Sequence, residues 1–253
     1  MDWTPQELIA VSASRLLEDR KVVFAGVGMP LVAAVLAKTH HAPHLTIVLE
    51  GGIIGPEIVP GELPVSTNEM RCARLPMMLT DITDIFLYAQ RGFFDYGFLG
   101  TAQIDQFGNI NTSVIGDPAA PKVRLPGTGG ANDIISACQE VFVVTSHERR
   151  RFVERVDFVT SPGHLKGGTS RQEAGLVFGG PSRVLTELAM MGFDEEAKRM
   201  TLVALQPGVR VEEVQRNTGF ELLTPRAPAR LAAPTDEELE VVRRLDPEGV
   251  FLG

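Results

Sequence analysis

One carboxylate in this chain is set apart by its surroundings. Glu50 closes the run Leu45-Thr46-Ile47-Val48-Leu49 and is followed at once by Gly51-Gly52-Ile53-Ile54-Gly55-Pro56. The preceding run is short, apolar and β-branched, and reads as a buried strand. The glycines let the backbone turn sharply and approach a ligand closely. In an open α/β sheet, ligands bind beyond the carboxyl ends of the strands, so Glu50 sits where a reacting group would sit. Few polar residues neighbour it in sequence. In an apolar setting water no longer stabilises the carboxylate, which becomes a stronger base or nucleophile. The alternative for an isolated Glu-Gly-Gly is structural, a strand-end salt bridge or a helix cap.

Three other stretches could supply donors to such a group. Gly26-Val27-Gly28 lies between a strand-like run, Lys21 to Ala25, and a helix that Pro30 starts and Leu31 to Thr39 continues. Strand, Gly-x-Gly, helix is the layout of an anion-binding loop. It lacks the full GxGxxG pattern and a Walker lysine, which argues against a nucleotide site. Gly100 to Ser113 (GTAQIDQFGNINTS) follows the short strand Tyr96 to Leu99 and is dense in Gln, Asp, Asn and Ser, with turn chemistry at Gln106 to Asn109. Either Gln103 and the Asn side chains are ligand donors, or the Asx residues hold the loop itself. Pro126 to Asp133 (PGTGGAND) precedes a helical segment that runs on from Ile134. Its Gly127, Gly129, Gly130, Ala131 and Asn132 bare several amides, which could hold a developing oxyanion or simply form a tight turn with an Asn or Asp cap. His40, His41 and His44 lie close together with no cysteine or carboxylate among them, so no metal site is expected there. His147 to Arg151 (HERRR) reads as a solvated charged run.

The elements that must position these residues alternate between strand and helix. Thr4-Pro5-Gln6-Glu7 carries a capping box and opens the first helix. A helix holding Phe86, Leu87 and Ala89 ends near Arg91-Gly92. Val141 to Thr145, Val156 to Thr160, Pro181 to Met190 and Met200 to Leu205 read as strands. A short helix falls between Pro207 and Phe220, and Thr235 to Leu245 is a closing helix with its own capping signal. Pro56 to Pro76 is rich in proline and fits no regular element, which suits a pocket wall or a contact with another chain. The fold expected is α/β, an open and mainly parallel sheet flanked by helices. It is expected as a single domain over 1–253, with 206–253 a C-terminal helical extension.

The chain has 253 residues, 44% of them hydrophobic and 22% charged, enough for a full α/β core. Net charge is −8, which disfavours nucleic acid and anionic membrane as partners. The two cysteines, Cys72 and Cys138, are far apart and outside any CxxC pattern, so neither a zinc ribbon nor a disulfide framework is expected. No signal-peptide pattern and no long apolar span is found, and a cytoplasmic location is expected.

Taken together and in order, VLEGG, GTAQIDQFGNINTS, PGTGGANDI, HERRRF and DFVTSPG resemble the B (β) subunit of glutaconate CoA-transferase and its relatives among the class I CoA-transferases. Order and spacing match from about Lys21 to Gly163, and more weakly on to the NTGF segment and the terminal helix. The resemblance implies the CoA-transferase (NagB-like) fold. It places Glu50 where that family supplies a nucleophilic glutamate. It assigns Gly26, Gly28, Gly51, Gly100, Gln103, Gly127, Gly129, Gly130, Ala131 and Asn132 to loops that line the site and help hold the acyl oxyanion and CoA. Thr101 departs from the glycine usual in glutaconate-type members. The implied reaction passes CoA from an acyl-CoA to a carboxylic acid through a glutamyl-CoA thioester. It needs no metal or redox cofactor, and coenzyme A enters only as substrate. An α-type CoA-transferase subunit is the implied partner, often as an α2β2 tetramer. Relatives with hydrolase or decarboxylase activity, and a non-catalytic scaffold role, are the alternatives; retention of Glu50 favours transfer.

Overall fold

In the computed structural model, which describes residues 2–252, the first helix α1 (Pro5–Ser14) starts as its capping box dictates. The Thr4 hydroxyl accepts from the Glu7 amide at 3.1 Å, and the Glu7 carboxylate accepts from the Thr4 amide at 2.8 Å. Strand β1 (Val22–Phe24) leads into α2 (Met29–His40), whose Leu31, Val32, Ala33, Ala34, Leu36 and Ala37 are all buried. Strand β2 (Thr46–Leu49) pairs with β1 in parallel. The chain then doubles back through β3 (Ile53–Ile54) and β4 (Met78–Leu79), each antiparallel to its predecessor. Between them, Pro56 to Pro76 holds only one short 3-10 turn, Met70–Ala73. Helix α3 (Ile82–Gln90) is capped by the Asp81 carboxylate, which accepts from the amides of Thr83 and Asp84. Strand β5 (Tyr96–Gly100) returns parallel to β1.

The following segment opens with two small antiparallel ladders, β6 (Gln103–Ile104) with β7 (Ile110–Asn111), and β8 (Val114–Ile115) with β9 (Val123–Arg124). Helix α4 (Ala131–Ala137) precedes β10 (Glu140–Val144), and the short α5 (Ser170–Glu173) precedes β11 (Pro181–Leu185). Strands β12 (Ala189–Phe193) and β13 (Met200–Leu205), helix α6 (Val211–Arg216) and strand β14 (Ala229–Arg230) complete it, and α7 (Asp236–Leu245) closes the chain.

These elements form two compact units. One holds the residues up to Phe98 together with those from Ala233; the other is Leu99 to Ala232. In the first, the strand order β5-β1-β2-β3-β4 puts parallel pairings at one side and antiparallel hairpins at the other. Helices α1, α2 and α7 pack against one another. Leu31, Leu36, Leu239, Val242 and Leu245 are at most 1% exposed in this core. Each such side chain contributes about 1.5–3 kcal/mol by burial, and trimming Leu36 to Ala would cost about 2–5 kcal/mol. Two ion pairs brace the helices. Arg15 donates to both carboxylate oxygens of Glu238 at 2.8 and 2.6 Å, and Arg243 to both of Glu7 at 2.6 and 3.1 Å. The Arg243 guanidinium holds the nearly buried Glu7 carboxyl below its ordinary range.

The second unit carries the order β14-β13-β12-β11-β10, with β10–β11 and β13–β14 parallel and the two pairings between them antiparallel. The α/β architecture is as expected, an open sheet flanked by helices, with antiparallel strands added to the parallel ones.

Of the expected strands, one is broken in two and one is absent. Pro181 to Met190 contains a reversal: the Thr186 hydroxyl accepts from the amides of Leu188 and Ala189, which turns β11 into β12 and makes a hairpin. Val156 to Thr160 forms no strand, because Asp157, Phe158 and Val159 are exposed in succession and no face alternates. Asp157 is drawn instead into the neighbouring loop, its amide donating to Gln103 Oε1 at 3.1 Å and its carboxylate accepting from the Gly116 amide at 2.8 Å. Residues 206–253, expected as a helical extension, contain α6, β14 and α7; the first two lie in the second unit and α7 in the first.

Candidate active site

Within the first unit, β1 and β2 run in parallel and present their carboxyl ends side by side. Gly26 and Gly28 follow β1, and Gly28, at φ 84°, caps the start of α2. Glu50 follows β2 directly. The turn that carries it is tight: the Gly52 amide donates to Leu49 O at 3.2 Å, and Leu49 pairs across with Ile53. Gly51 and Gly52 are demanded by close approach. A Cβ on Gly51 would meet Thr67 O at 2.5 Å and collide with the Asn68 carboxamide, and one on Gly52 would collide with Thr80 O and reach Asp81 Cα at 2.9 Å. The proline-rich loop thus lies directly against the turn. Glu50 itself is half-buried. Among the described residues its carboxylate takes no hydrogen bond and no ion pair. It is neither a cap nor a salt-bridge partner, so the two structural alternatives for Glu-Gly-Gly are not what the fold does with it. A carboxylate on a short turn between two sheet strands, unengaged by protein donors, keeps its lone pairs available for covalent attack.

The candidates of the second unit behave differently. Gly100 ends β5, and the Gln103 side chain is 6% exposed. Its Nε2 donates to Asp157 at 3.1 Å, and its Oε1 accepts from Asn111 Nδ2 at 2.7 Å and from the Asp157 amide. Asp105 accepts from Asn109 Nδ2 at 2.9 Å and from the amides of Phe107 and Asn109, and burial raises its carboxyl above the ordinary value. Asn109 also donates to Leu165 O and accepts from the amides of Gly163 and Leu165. Of the two readings of this polar stretch, the observed bonds are those of side chains holding the loop. The glycine loop before α4 is anchored at its base: the Thr112 hydroxyl donates to Gly127 O at 2.7 Å, the Gly127 amide donates to Thr112 O, and the Asn132 amide donates to the Thr128 hydroxyl. A Cβ on Gly127 or Gly129 would meet nothing within 4 Å, so the loop presents open backbone. Gly129 holds φ 49°, whereas Gly130, the residue before α4, has φ −79°. Ala131 and Asn132 form the first turn of that helix.

Sequence reasoning missed three groups. His147 is not part of a solvated run. It is 3% exposed, stacks on Phe152 with centroids 4.2 Å apart, and places its ring nitrogens 3.0 Å from the hydroxyls of Thr186 and Thr218. Burial lowers its pKa to about 4. His164 is similarly buried beside Pro181 O and Phe193, again with a pKa lowered to about 4 by burial. Arg171, 1% exposed, donates to the carbonyls of Ile135, Pro162, Gly163 and Phe178, and ties α4 to the Ser161-Pro162-Gly163 loop. Nothing local in the sequence marks Arg171, and the Thr186 turn that faces His147 lies inside a stretch that reads as one strand. In the first unit the clustered histidines are dispersed among separate partners, His41 on Leu17 O and His44 on Asp19. No group of three or more metal-ligating side chains occurs among the described residues, and no helix among them is long and apolar enough to cross a membrane.

The family model for coenzyme A transferase matches residues 6–217. The chain is 39% identical over 245 residues to the B subunit of 3-oxoadipate CoA-transferase from Pseudomonas knackmussii, covering 96% of this chain and 94% of that one. It is 35% identical over 258 residues to the B subunit of glutaconate CoA-transferase from Acidaminococcus fermentans, covering 99% and 96%. The crystal structure of glutaconate CoA-transferase from the same organism superposes with a TM-score of 0.91 at 33% identity, covering 100% of this chain and 99% of that one. Identity of this order, sustained over nearly the whole of both chains and joined to the same fold, makes the protein a member of the coenzyme A transferase family and a chain of its B-subunit type.

Proposed function

We propose that this chain works in an acid:CoA transferase with Glu50 as covalent nucleophile and a dicarboxylic acid as one of its substrates. The observation that carries the first part is the unengaged, half-buried carboxylate at the end of β2. The second part is supported by the two B-subunit relatives, whose named acids, 3-oxoadipate and glutaconate, are both dicarboxylates.

In this reading a Glu50 oxygen attacks the thioester carbonyl of the acyl-CoA. The C–S bond breaks, CoA leaves as thiolate, and an acyl-glutamyl anhydride remains. The thiolate then attacks the glutamyl carbonyl and expels the acyl group as a free carboxylate, which leaves CoA on Glu50 as a thioester. The second acid runs the same steps backwards and departs as the new CoA ester. Every step exchanges one acyl bond for another, so neither a metal nor a redox cofactor is required. On the family's pattern we assign the glycine loops at Gly26–Gly28 and 127–132 to acyl oxygen and CoA; the amides of Gly127, Ala131 and Asn132 brace the second loop, which leaves those of Gly129 and Gly130 for the ligand, and Gln103 holds its own loop. An A-type partner completes the enzyme, as α2β2, in the cytoplasm.

The test is to co-express the chain with its A-type partner and incubate the complex with an acyl-CoA and no acceptor acid. CoA should become attached to Glu50, trappable by borohydride or hydroxylamine and mapped by mass spectrometry. Initial rates with both substrates should give the parallel lines of a ping-pong scheme. Net hydrolysis of the acyl-CoA with no adduct, or an adduct on another residue, would overturn the reading.

A further inference from the structure

Asn68, we propose, is a substrate-contacting residue of the transfer, its side-chain amide donating a hydrogen bond to the oxyanion that forms on the glutamyl carbon of Glu50. The inference rests on the assignment of Glu50 as nucleophile.

The geometry that points to Asn68 is the packing of the proline-rich loop on the Glu50 turn. The residue after the nucleophile has no side chain, and the space its Cβ would take is occupied by the Asn68 carboxamide, with Thr67 O alongside. The amide therefore lies against Gly51, the residue next to Glu50 in the chain. Rotating a carboxamide by half a turn exchanges its oxygen and its nitrogen, so the donor edge can occupy the same place. Among the described residues neither the Asn68 side chain nor the Glu50 carboxylate has a hydrogen-bond partner.

The loop also holds Asn68 in place. Its backbone amide donates to the Ser66 hydroxyl at 3.3 Å, the Glu69 amide donates to Ser66 O at 3.4 Å, and the Cys72 thiol donates to Ser66 O at 3.3 Å. Arg71 pairs with Glu69 at 2.5 Å and donates to Leu63 O, while the Glu57 amide closes the loop on Arg74 O at 3.0 Å. These bonds fix the backbone that carries the donor, and a donor whose attachment is set before the reaction has less reorganisation to undergo when charge develops, which favours oxyanion stabilisation. Charge develops on the glutamyl carbon twice in each cycle, when thiolate attacks the anhydride and when the incoming carboxylate attacks the thioester.

Asn68 is exposed, so its replacement opens no cavity. In the complex with the A-type partner, Asn68→Ala should slow both turnover and formation of the CoA adduct by about 100-fold. KM for acyl-CoA should change by no more than a few-fold, and the melting temperature should stay put. Asn68→Asp keeps the shape, lacks the N–H donor and adds a negative charge beside the nucleophile, and should be slower still. Adduct formation at the wild-type rate in either variant would overturn the role of Asn68 while leaving Glu50 standing. Loss of rate matched by a fall in melting temperature would assign Asn68 to loop support and overturn it equally. Absence of any adduct on Glu50 in the wild-type complex would remove the nucleophile and this inference with it.

Discussion

The Glu50 turn and the polar stretch from Gln103 to Asn111 make opposite use of their side chains. The turn has one carboxylate, two glycines and apolar neighbours, and its carboxylate is left unengaged. The stretch has Gln103, Asp105, Asn109 and Asn111, and all four are committed to bonds within the second unit. Density of polar residues here marks a loop that is held by its own side chains, and the lone carboxylate is positioned by backbone geometry and takes no protein partner among the described residues. A buried polar network rigidifies only when each member is satisfied, and members so satisfied have little left for a ligand.

The sharpest way to break that contrast is to remove Glu50. Glu50→Ala should lower kcat by at least about 10^4-fold with no change in melting temperature, since the side chain supports nothing. Glu50→Gln should be nearly as inactive, because charge rather than shape drives the attack. Measured activity within tenfold of wild type would erase the distinction between the two regions. Next in size is Asn109→Ala, which strips two buried neighbours of their partners. It should lower stability by about 3 kcal/mol, with activity falling only as the fold does; denaturation and kinetics on the same samples decide the matter. A third comparison lies inside the glycine loop. Gly129 holds a φ that a β-branched residue adopts only under strain, whereas Gly130 has an ordinary helical φ. Gly129→Val should cost about 1–3 kcal/mol in loop strain and lose most turnover. Gly130→Val should keep the loop conformation, so any activity it loses measures crowding at the exposed backbone. Equal melting temperatures for the two variants would show that the positive φ carries no weight.

The smallest effect is a slope. His147 and His164 have pKa values lowered to about 4 from 6.5 by burial. Between those values the unfolded chain takes up protons that the folded one refuses. Their stabilisation is therefore complete above about pH 6.5 and is lost progressively down to about pH 4, at about 1.4 kcal/mol per pH unit for each histidine. Asp105, with its carboxyl raised by burial, works in the opposite sense, binding a proton in the folded state first as pH falls. The melting temperature should drop from pH 6.5 to 5, and His147→Gln should flatten the curve by one histidine's share.

What the sequence disclosed follows the range of the interactions involved. The capping boxes at Thr4 and Thr235 depend on three consecutive peptide units and were legible as written. So was the placement of Glu50 on a turn at the end of β2, because a strand, a carboxylate and two glycines are contiguous. Arg171 was not, because its four carbonyl partners come from Ile135, Pro162, Gly163 and Phe178, brought together only by the fold. His147 was masked by the charges that follow it. Arg150 does turn outward, and together with Arg151, which also donates to Thr101 O, it holds the Glu148 carboxyl down to about 2, whereas the histidine at the head of the run turns inward. Val156 to Thr160 had the composition of a strand, but Asp157 had a better set of partners in the loop.

The chain leaves its first unit at Phe98 and rejoins it at Ala233, and this has a consequence during translation. The inserted unit, Leu99 to Ala232, is continuous and has all its contacts available while synthesis is still under way. The older part of the nascent chain must wait: α1 and α2 have emerged, but α7, with Glu238 for Arg15 and Arg243 for Glu7, is made only after the inserted unit. Until then those helices present the apolar surface that Leu239, Val242 and Leu245 will cover, the kind of transient exposure that recruits chaperones. The unit that carries Glu50 is thus completed after the inserted one. A ribosome that stops short of residue 233 releases a product with its glycine-loop unit folded and its Glu50 unit unfinished, a ready substrate for proteolysis.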